Sequence, residues 1–225
     1  MNTSARRDLR KRELRSVILD AAREIFVRDS FEAFSMRKLA ASVECSPGNI
    51  YLHFKNKEEL FESLVEISFA RLLESLSRLR SLGMRGSART SADPVTLLRK
   101  GLRAYVDFGL RNPNDYRFAF LIRPPIVKRG YKAHPAFEEL RFMVGRCVAE
   151  NRLRAVDVET TSQALWAAAH GITSLLIQRP FFPWVSKRKV IAQVIDGAID
   201  NLLAAPPSRG GRGGRHANSR NRRRA

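Results

Sequence analysis

The sequence predicts an all-α protein, and three observations carry that prediction. Apolar residues recur at intervals of three and four along most of the chain. The breaks between those runs open with capping residues or with prolines suited to a first helical turn. No run alternates apolar with polar residues as a half-buried strand would. About nine helices are expected, and 225 residues suffice for a small unit leaning on a medium one without disulfides.

Leu14, Val17, Ile18, Ala21, Ala22, Ile25 and Phe26 form one face of a first helix over residues 12–28, with Arg15, Arg23, Glu24 and Arg28 on other faces. Ser35 is placed to N-cap a short second helix whose Met36, Leu39, Ala40 and Val43 face inward. Glu44 and Cys45 lead to a third helix over 47–52, with Ser46 as cap and Pro47 at the first position, where its missing N–H costs nothing. Asn56 then caps a fourth helix, and Glu59 three residues on can close a capping box. That helix runs through Leu60, Phe61, Leu64, Ile67 and Leu72 to near Ser81.

Residues 83–93 read as a Gly/Ser/Arg linker, and Pro94 starts a helix that reaches Leu110. Asn112 and Pro113 stop that helix and start the next, and 123–132, with Pro124, Pro125 and Gly130, is a loop. Helices follow over 135–151 and 156–178, residues 179–183 interrupt, and Val190, Ile191, Val194, Ile195, Ile199, Leu202 and Leu203 mark a last amphipathic helix. From Pro206 onward no apolar residue exceeds Ala, so the tail cannot offset its ordering entropy and is expected to be disordered. The chain thus divides into 1–57, 58–205 and 206–225.

Lys and Arg total 41 against 22 Asp and Glu, a formal charge of +19 that points to a polyanionic partner, nucleic acid first and an anionic membrane surface second. Arg209, Arg212, Arg215, Arg220, Arg222, Arg223 and Arg224 supply seven of those charges; without them the charge is still +12. Cys45 and Cys147 lie far apart, outside any CxxC pair, and read as two reduced thiols of a cytoplasmic protein. No apolar stretch reaches the length of a membrane span; the longest, 164–177, contains His170 and reads as a buried helix.

Two short helices joined by a tight turn suit DNA, because the major groove admits one while the other braces against the backbone. The third helix is the reader: Ser46, Pro47, Gly48 and Asn49 are small enough for close approach, and Asn49 is the candidate for a base edge. Tyr51 and His53 either reach flanking phosphates or are a half-buried aromatic and a surface histidine. Arg37 and Lys57 add ionic clamps. The basic stretch from Arg6 to Arg15 is either an arm along the backbone or minor groove, or a solvated tail.

Residues 35–59, SMRKLAASVECSPGNIYLHFKNKEE, resemble the DNA-binding region of TetR/AcrR repressors. The likeness lies in the Ser cap, the RxLA pattern, the small-residue entry to the third helix, the aromatic-x-His-Phe ending and the Lys-x-Glu-Leu start of the fourth. It implies phosphate contacts from Ser35, Arg37, Tyr51, His53 and Lys57, with Ser46, Pro47, Gly48 and Asn49 facing the groove. Leu52 stands where that family frequently has an aromatic.

Between residues 60 and 205 no catalytic set, phosphate-binding glycine loop or metal spacing occurs, so no enzyme and no cofactor is implied. Trp166, His170 and Gly171 share part of one helical face, and the run WAAAHG resembles the WHG signature of a TetR carboxy-terminal subfamily. That likeness implies a helical ligand-binding and dimerising domain. Tyr105, Phe108, Tyr116, Phe120, Phe142, Trp166, His170 and Trp184 are candidates either for an apolar pocket or simply for core. In that family the last two helices pair across a two-fold axis, so 158–177 and 190–203 would form a homodimer face, with Ala164, Ala167, Ala168 and Gly171 permitting close approach.

The expected function is a homodimeric repressor whose two third helices meet a pseudo-palindromic operator about 34 Å apart. A small, largely apolar effector would release it, with the fourth helix as lever. The alternative is a nucleic-acid-associated interaction protein that binds RNA or DNA without sequence preference through its Arg/Gly tail.

Overall fold

The computed structural model describes residues 3–84, 92–122 and 134–204. The expected loop over 123–132 and tail over 206–225 lie outside the described residues, as does most of the expected linker over 83–93. Every described element is helical.

The first helix, α1 (Thr3–Ala33), begins well before residue 12, so the basic stretch forms its exposed first turns rather than an arm. Its last turn is broken at Ser30, whose φ of 70° lies in the left-handed region. That break swings Phe31 back to stack on Phe26 at 5.8 Å. α2 (Met36–Ser42) follows an extended Ser35 whose side chain makes no cap bond, contrary to expectation. Hydroxyl capping fails there; only the Ser35 carbonyl takes part, accepting from Leu39 N–H. Glu44, at φ 51°, turns the chain into α3 (Pro47–Tyr51), capped by Ser46 as expected.

α4 (Lys57–Met84) starts where Asn56 Oδ1 accepts from Glu59 N–H at 2.8 Å. The return bond of the capping box is displaced by one residue, since the Glu59 carboxylate accepts from Lys55 N–H rather than from Asn56. α5 (Pro94–Arg111) is capped by Asp93 and carries Pro94 in its first turn. α6 (Pro113–Tyr116) runs without a break into a π-helical turn, Arg117–Leu121. α7 (Pro135–Ala149), α8 (Val158–Gln178) and α9 (Lys187–Asp200) complete the chain. An isolated antiparallel bridge between Leu153 and Leu203 pins the end of α9 to the α7–α8 connection.

Two apolar cores result. Ile18, Phe26, Leu39, Ile50, Phe54 and Phe61 anchor the first, which runs past residue 57 to Leu64 and takes in Phe118 from the π turn. The second gathers α4 from Phe69 onward with α5, α7, α8 and α9. α5 is its axis, and two glycines let neighbours close on it. A Cβ at Gly109 would stand 2.4 Å from Thr173 Cγ2 and 2.7 Å from a Tyr116 ring carbon; one at Gly101 would stand 2.6 Å from the Met143 sulfur. Arg99 and Arg103 tie α5 to α9 through Asp196, and Arg99 also meets Asp200. Cys45 and Cys147 are both free thiols, and burial pushes that of Cys147 up to about 11. Among the described residues no helix is long and apolar enough to cross a membrane.

Candidate functional site

α3 is fastened by one residue. Ile50 is fully buried with Phe54 beneath it, while Ser46, Pro47, Gly48, Asn49 and Tyr51 are exposed and Leu52 is 75% exposed. Ser46 Oγ accepts from Asn49 N–H at 3.3 Å, so the cap engages the Asn49 backbone and leaves its carboxamide open. The result is a small-residue helix start and an open Leu on one protruding edge.

Cations flank that edge. Arg37 and Lys55 are exposed, and the Arg15 guanidinium lies 4.7 Å over the Phe54 ring. Lys57 is more constrained than the sequence suggests: its ammonium donates to the Phe31 carbonyl at 3.3 Å and sits 4.6 Å from that ring's centre. His53 is half-buried, and its Nδ1 has no partner. Burial, then the charges of Lys11 and Arg15, lower its pKa, so the basic first turns of α1 converge on the end of α3.

Behind this unit, α4, α5, the π turn, α7 and α8 enclose a cavity of about 880 Å³. Phe69, Leu72 and Leu76 line it from α4, Gly101, Leu102 and Tyr105 from α5, and Ala119 and Phe120 from the π turn. Leu140 and Met143 of α7 and Gln163, Trp166 and His170 of α8 close it.

A polar relay crosses one wall. Trp166 Nε1–H donates to the Tyr105 hydroxyl at 3.3 Å, which donates to that of Tyr116 at 3.2 Å. Tyr116 O–H reaches His170 Nδ1 at 2.7 Å. Burial raises both phenols, Tyr116 to about 12, and holds the His170 imidazole below its ordinary 6.5. The relay is therefore a chain of neutral donors and acceptors at neutral pH.

Residues 18–64 match the family described as bacterial regulatory proteins, tetR family, and residues 98–201 match a second, the Tetracyclin repressor-like C-terminal domain. The chain belongs to the TetR family. It is 39% identical over 66 residues to the HTH-type transcriptional regulator UidR of Escherichia coli K12, covering 28% of this chain and 34% of that protein. With the HTH-type transcriptional activator FasR of Mycolicibacterium smegmatis it shares 30% identity over 108 residues, 48% of this chain and 46% of the other. The chain thus spans between a third and a half of these curated relatives. The crystal structure of a bacterial regulatory protein in the tetR family from Rhodococcus RHA1 superposes with a TM-score of 0.62 at 18% identity, over 85% of this chain and 98% of that one. Residues 18–64 thus carry the helix-turn-helix, DNA-binding unit of that family of regulators.

Within the TetR fold, the residues picked from the sequence for the DNA edge divide by exposure. Ser46, Pro47, Gly48, Asn49, Tyr51 and Arg37 stand open, while Ser35, His53 and Lys57 are half-buried around them. Of the pocket candidates, Tyr105, Phe120, Trp166 and His170 line the cavity. Tyr116 does not; it is fully buried behind His170. Phe108 packs in the core, and Phe142 lies under the Arg80 guanidinium at 4.2 Å. Trp184 packs at a tilt against Phe182 and donates to the Arg179 carbonyl. These last three side chains are occupied by packing, which removes them from the pocket. Phe69, Leu102, His134, Phe137 and Met143 line it without having been singled out. His134 alone carried a signal, as a polar residue before Pro135, where it caps α7 by accepting from Ala136 N–H.

Proposed function

We propose that the protein is a homodimeric repressor that holds a pseudo-palindromic operator and lets go when a small, largely apolar effector fills the cavity. Residues 1–57 serve as the DNA-binding unit and 58–205 as the sensing and dimerising unit. Asn49 reads a base edge, Ser46, Pro47 and Gly48 face the groove, and Ser35, Arg37, Tyr51, His53 and Lys57 meet phosphates.

The observation that carries this reading is the segment from Asp115 to Ile122, which touches both cores. Phe120 lines the cavity, while Phe118, two residues earlier, sits 6.1 Å from Phe26 and 5.6 Å from Phe61 in the DNA-binding core. Asp115 at its start pairs with Arg23 of α1 and Arg71 of α4, and Tyr116 bonds His170. Any molecule that moves Phe120 or His170 presses on α1 through this turn as well as on α4. π turns inside helices occur frequently at functional sites. An effector acts only to the extent that it prefers the DNA-incompetent state, typically by 1 to 3 kcal/mol of coupling.

Dimerisation is supported by α8, where Ala164, Ala167 and Leu175 are exposed on a helix otherwise rich in apolar residues. Selection of genomic fragments by the purified full-length protein, followed by mobility shifts on the recovered sites, tests the reading. A two-fold related site retained after deletion of residues 206–225 is the expected result; loss of all binding on that deletion would move the function to the basic tail.

A further inference from the structure

We infer that the effector of this cavity is an uncharged, mainly apolar molecule bearing a carbonyl-type oxygen, which accepts a hydrogen bond from Nε2–H of His170. The inference rests on the cavity being the effector site.

Charge comes first. Among the described residues no Lys or Arg lines the cavity, so a carboxylate or phosphate entering it would meet no counter-ion on these walls. Glu159 is the acidic residue among the described ones on the wall, and it is already matched. One of its oxygens is 2.8 Å from Arg141 Nε, and the other accepts from Gln163 Nε2 at 2.8 Å. A cationic guest would have to break that arrangement. A neutral guest meets no such cost.

Polarity comes second. Tyr116 has one proton and two acceptors in reach, His170 Nδ1 at 2.7 Å and the His170 carbonyl at 3.3 Å. Ser174 Oγ already donates to that carbonyl at 2.7 Å, which leaves Nδ1 the nearer and less occupied acceptor, and the Tyr105 hydroxyl also lies 3.3 Å from it. Two hydroxyls thus converge on Nδ1, and with the Tyr116 proton placed there a neutral ring carries its own proton on Nε2. Among the described residues nothing accepts from that Nε2–H, and His170 is on the cavity wall. His134 repeats the pattern: its Nδ1 accepts from Ala136 N–H at 3.2 Å, so its neutral ring also carries the proton on Nε2. Burial keeps both imidazoles neutral at neutral pH. Ring contacts run from His134 to Phe69 at 4.2 Å, to Phe120 at 5.2 Å and to His170 at 5.6 Å. The walls thus offer an aromatic track with an N–H donor at each end, which a guest complements by accepting.

The test uses four probes of one chain length, decan-2-one, decanoate, decylammonium and decane, each displacing the neutral fluorophore N-phenylnaphthylamine from the full-length protein. Decan-2-one is expected to bind about tenfold tighter than decane and than either ion. His170→Phe should erase the preference over decane, and His170→Gln, whose amide N–H can take the place of Nε2–H, should restore part of it. The infrared carbonyl stretch of bound decan-2-one should fall below its value in hexane, but not in His170→Phe. If decanoate or decylammonium equals or exceeds the ketone, or the stretch does not move, the inference falls while the cavity remains an effector site. If neither the fluorophore nor any of the four probes binds, the cavity is not the effector site and both readings fall.

Discussion

Arg23 of α1 and Asp115 of α6 form an ion pair at 3.3 Å, with the aspartate only 4% exposed and the arginine 15%. Arg71 meets the other Asp115 oxygen at 2.7 Å, and Ser68 Oγ, which donates to the Leu64 carbonyl at 2.7 Å, lies 3.3 Å from the carboxylate, so α1 and α4 both hang on one buried carboxylate of α6. Removing one partner of a buried pair leaves the other charge without compensation, at a cost of about 3 kcal/mol or more. Asp115→Asn should therefore lower stability in urea denaturation by about that amount. Arg71→Met should cost much less, because Arg71 is 49% exposed and its pairing is screened by water. Equal effects would show that the pairing does not join the two units.

Tyr116→Phe removes a hydroxyl that both accepts from Tyr105 and donates to His170. The Tyr105 hydroxyl lies 3.3 Å from His170 Nδ1 and can take over that contact, so the expected loss is about 1 kcal/mol. Thermal unfolding reads the loss, and the double variant Tyr105→Phe with Tyr116→Phe, which takes both hydroxyls from Nδ1, should cost more and shift the nitrogen NMR signals of the His170 ring. Unchanged signals in the double variant would mean that another group holds Nδ1.

His53, His134 and His170 all have pKa values held below the ordinary 6.5, chiefly by burial. Each is depressed in the folded state, so between the folded value and 6.5 the unfolded chain binds more protons. Their contribution is present above 6.5 and is lost as pH falls through the folded values. Stability in urea should decline on mild acidification, before the carboxylates titrate, and His170→Phe should make that decline shallower. A flat profile in this window would contradict the burial of all three.

Asn49→Ala should relax preference at one base position, since its carboxamide is free and exposed. Arg37→Ala should weaken binding to all sequences alike and reduce the salt slope by about one, without loss of stability. Lys57→Ala should do the same and also lower the melting temperature, because its ammonium holds the Phe31 carbonyl. Binding-site selection and mobility shifts across salt concentrations, with melting curves alongside, distinguish the three.

Gly109→Ala would place a methyl 2.4 Å from Thr173 and 2.7 Å from the Tyr116 ring. Crowding of that kind costs about 1 to 3 kcal/mol, and here it would push Tyr116 away from His170. Calorimetry should show the destabilisation, and decan-2-one affinity should fall with it. Gly145→Ala on α7 is the control, because nothing stands within 4 Å of a Cβ there.

The sequence by itself determined the helical class, the order of the helices and the capped, small-residue start of α3. Those follow from local rules: apolar spacing along Leu14 to Phe26, Pro47 behind its Ser46 cap, and the Asn56 cap of α4 involve residues within a few positions of each other. Local rules also set their own limits. The Ser35 cap did not form, and α1 began earlier than its apolar face, because exposed polar residues can extend a helix without leaving a periodic trace. Only the tertiary structure decided which aromatics line the cavity. Phe120 and Phe118 are two residues apart with the same side chain, yet one faces the cavity and the other the DNA-binding core, since the π turn between the units sets their directions. Asp115, Tyr116 and His170 likewise acquire their roles from partners more than forty positions away in the chain, a separation at which residue spacing carries no information about contact.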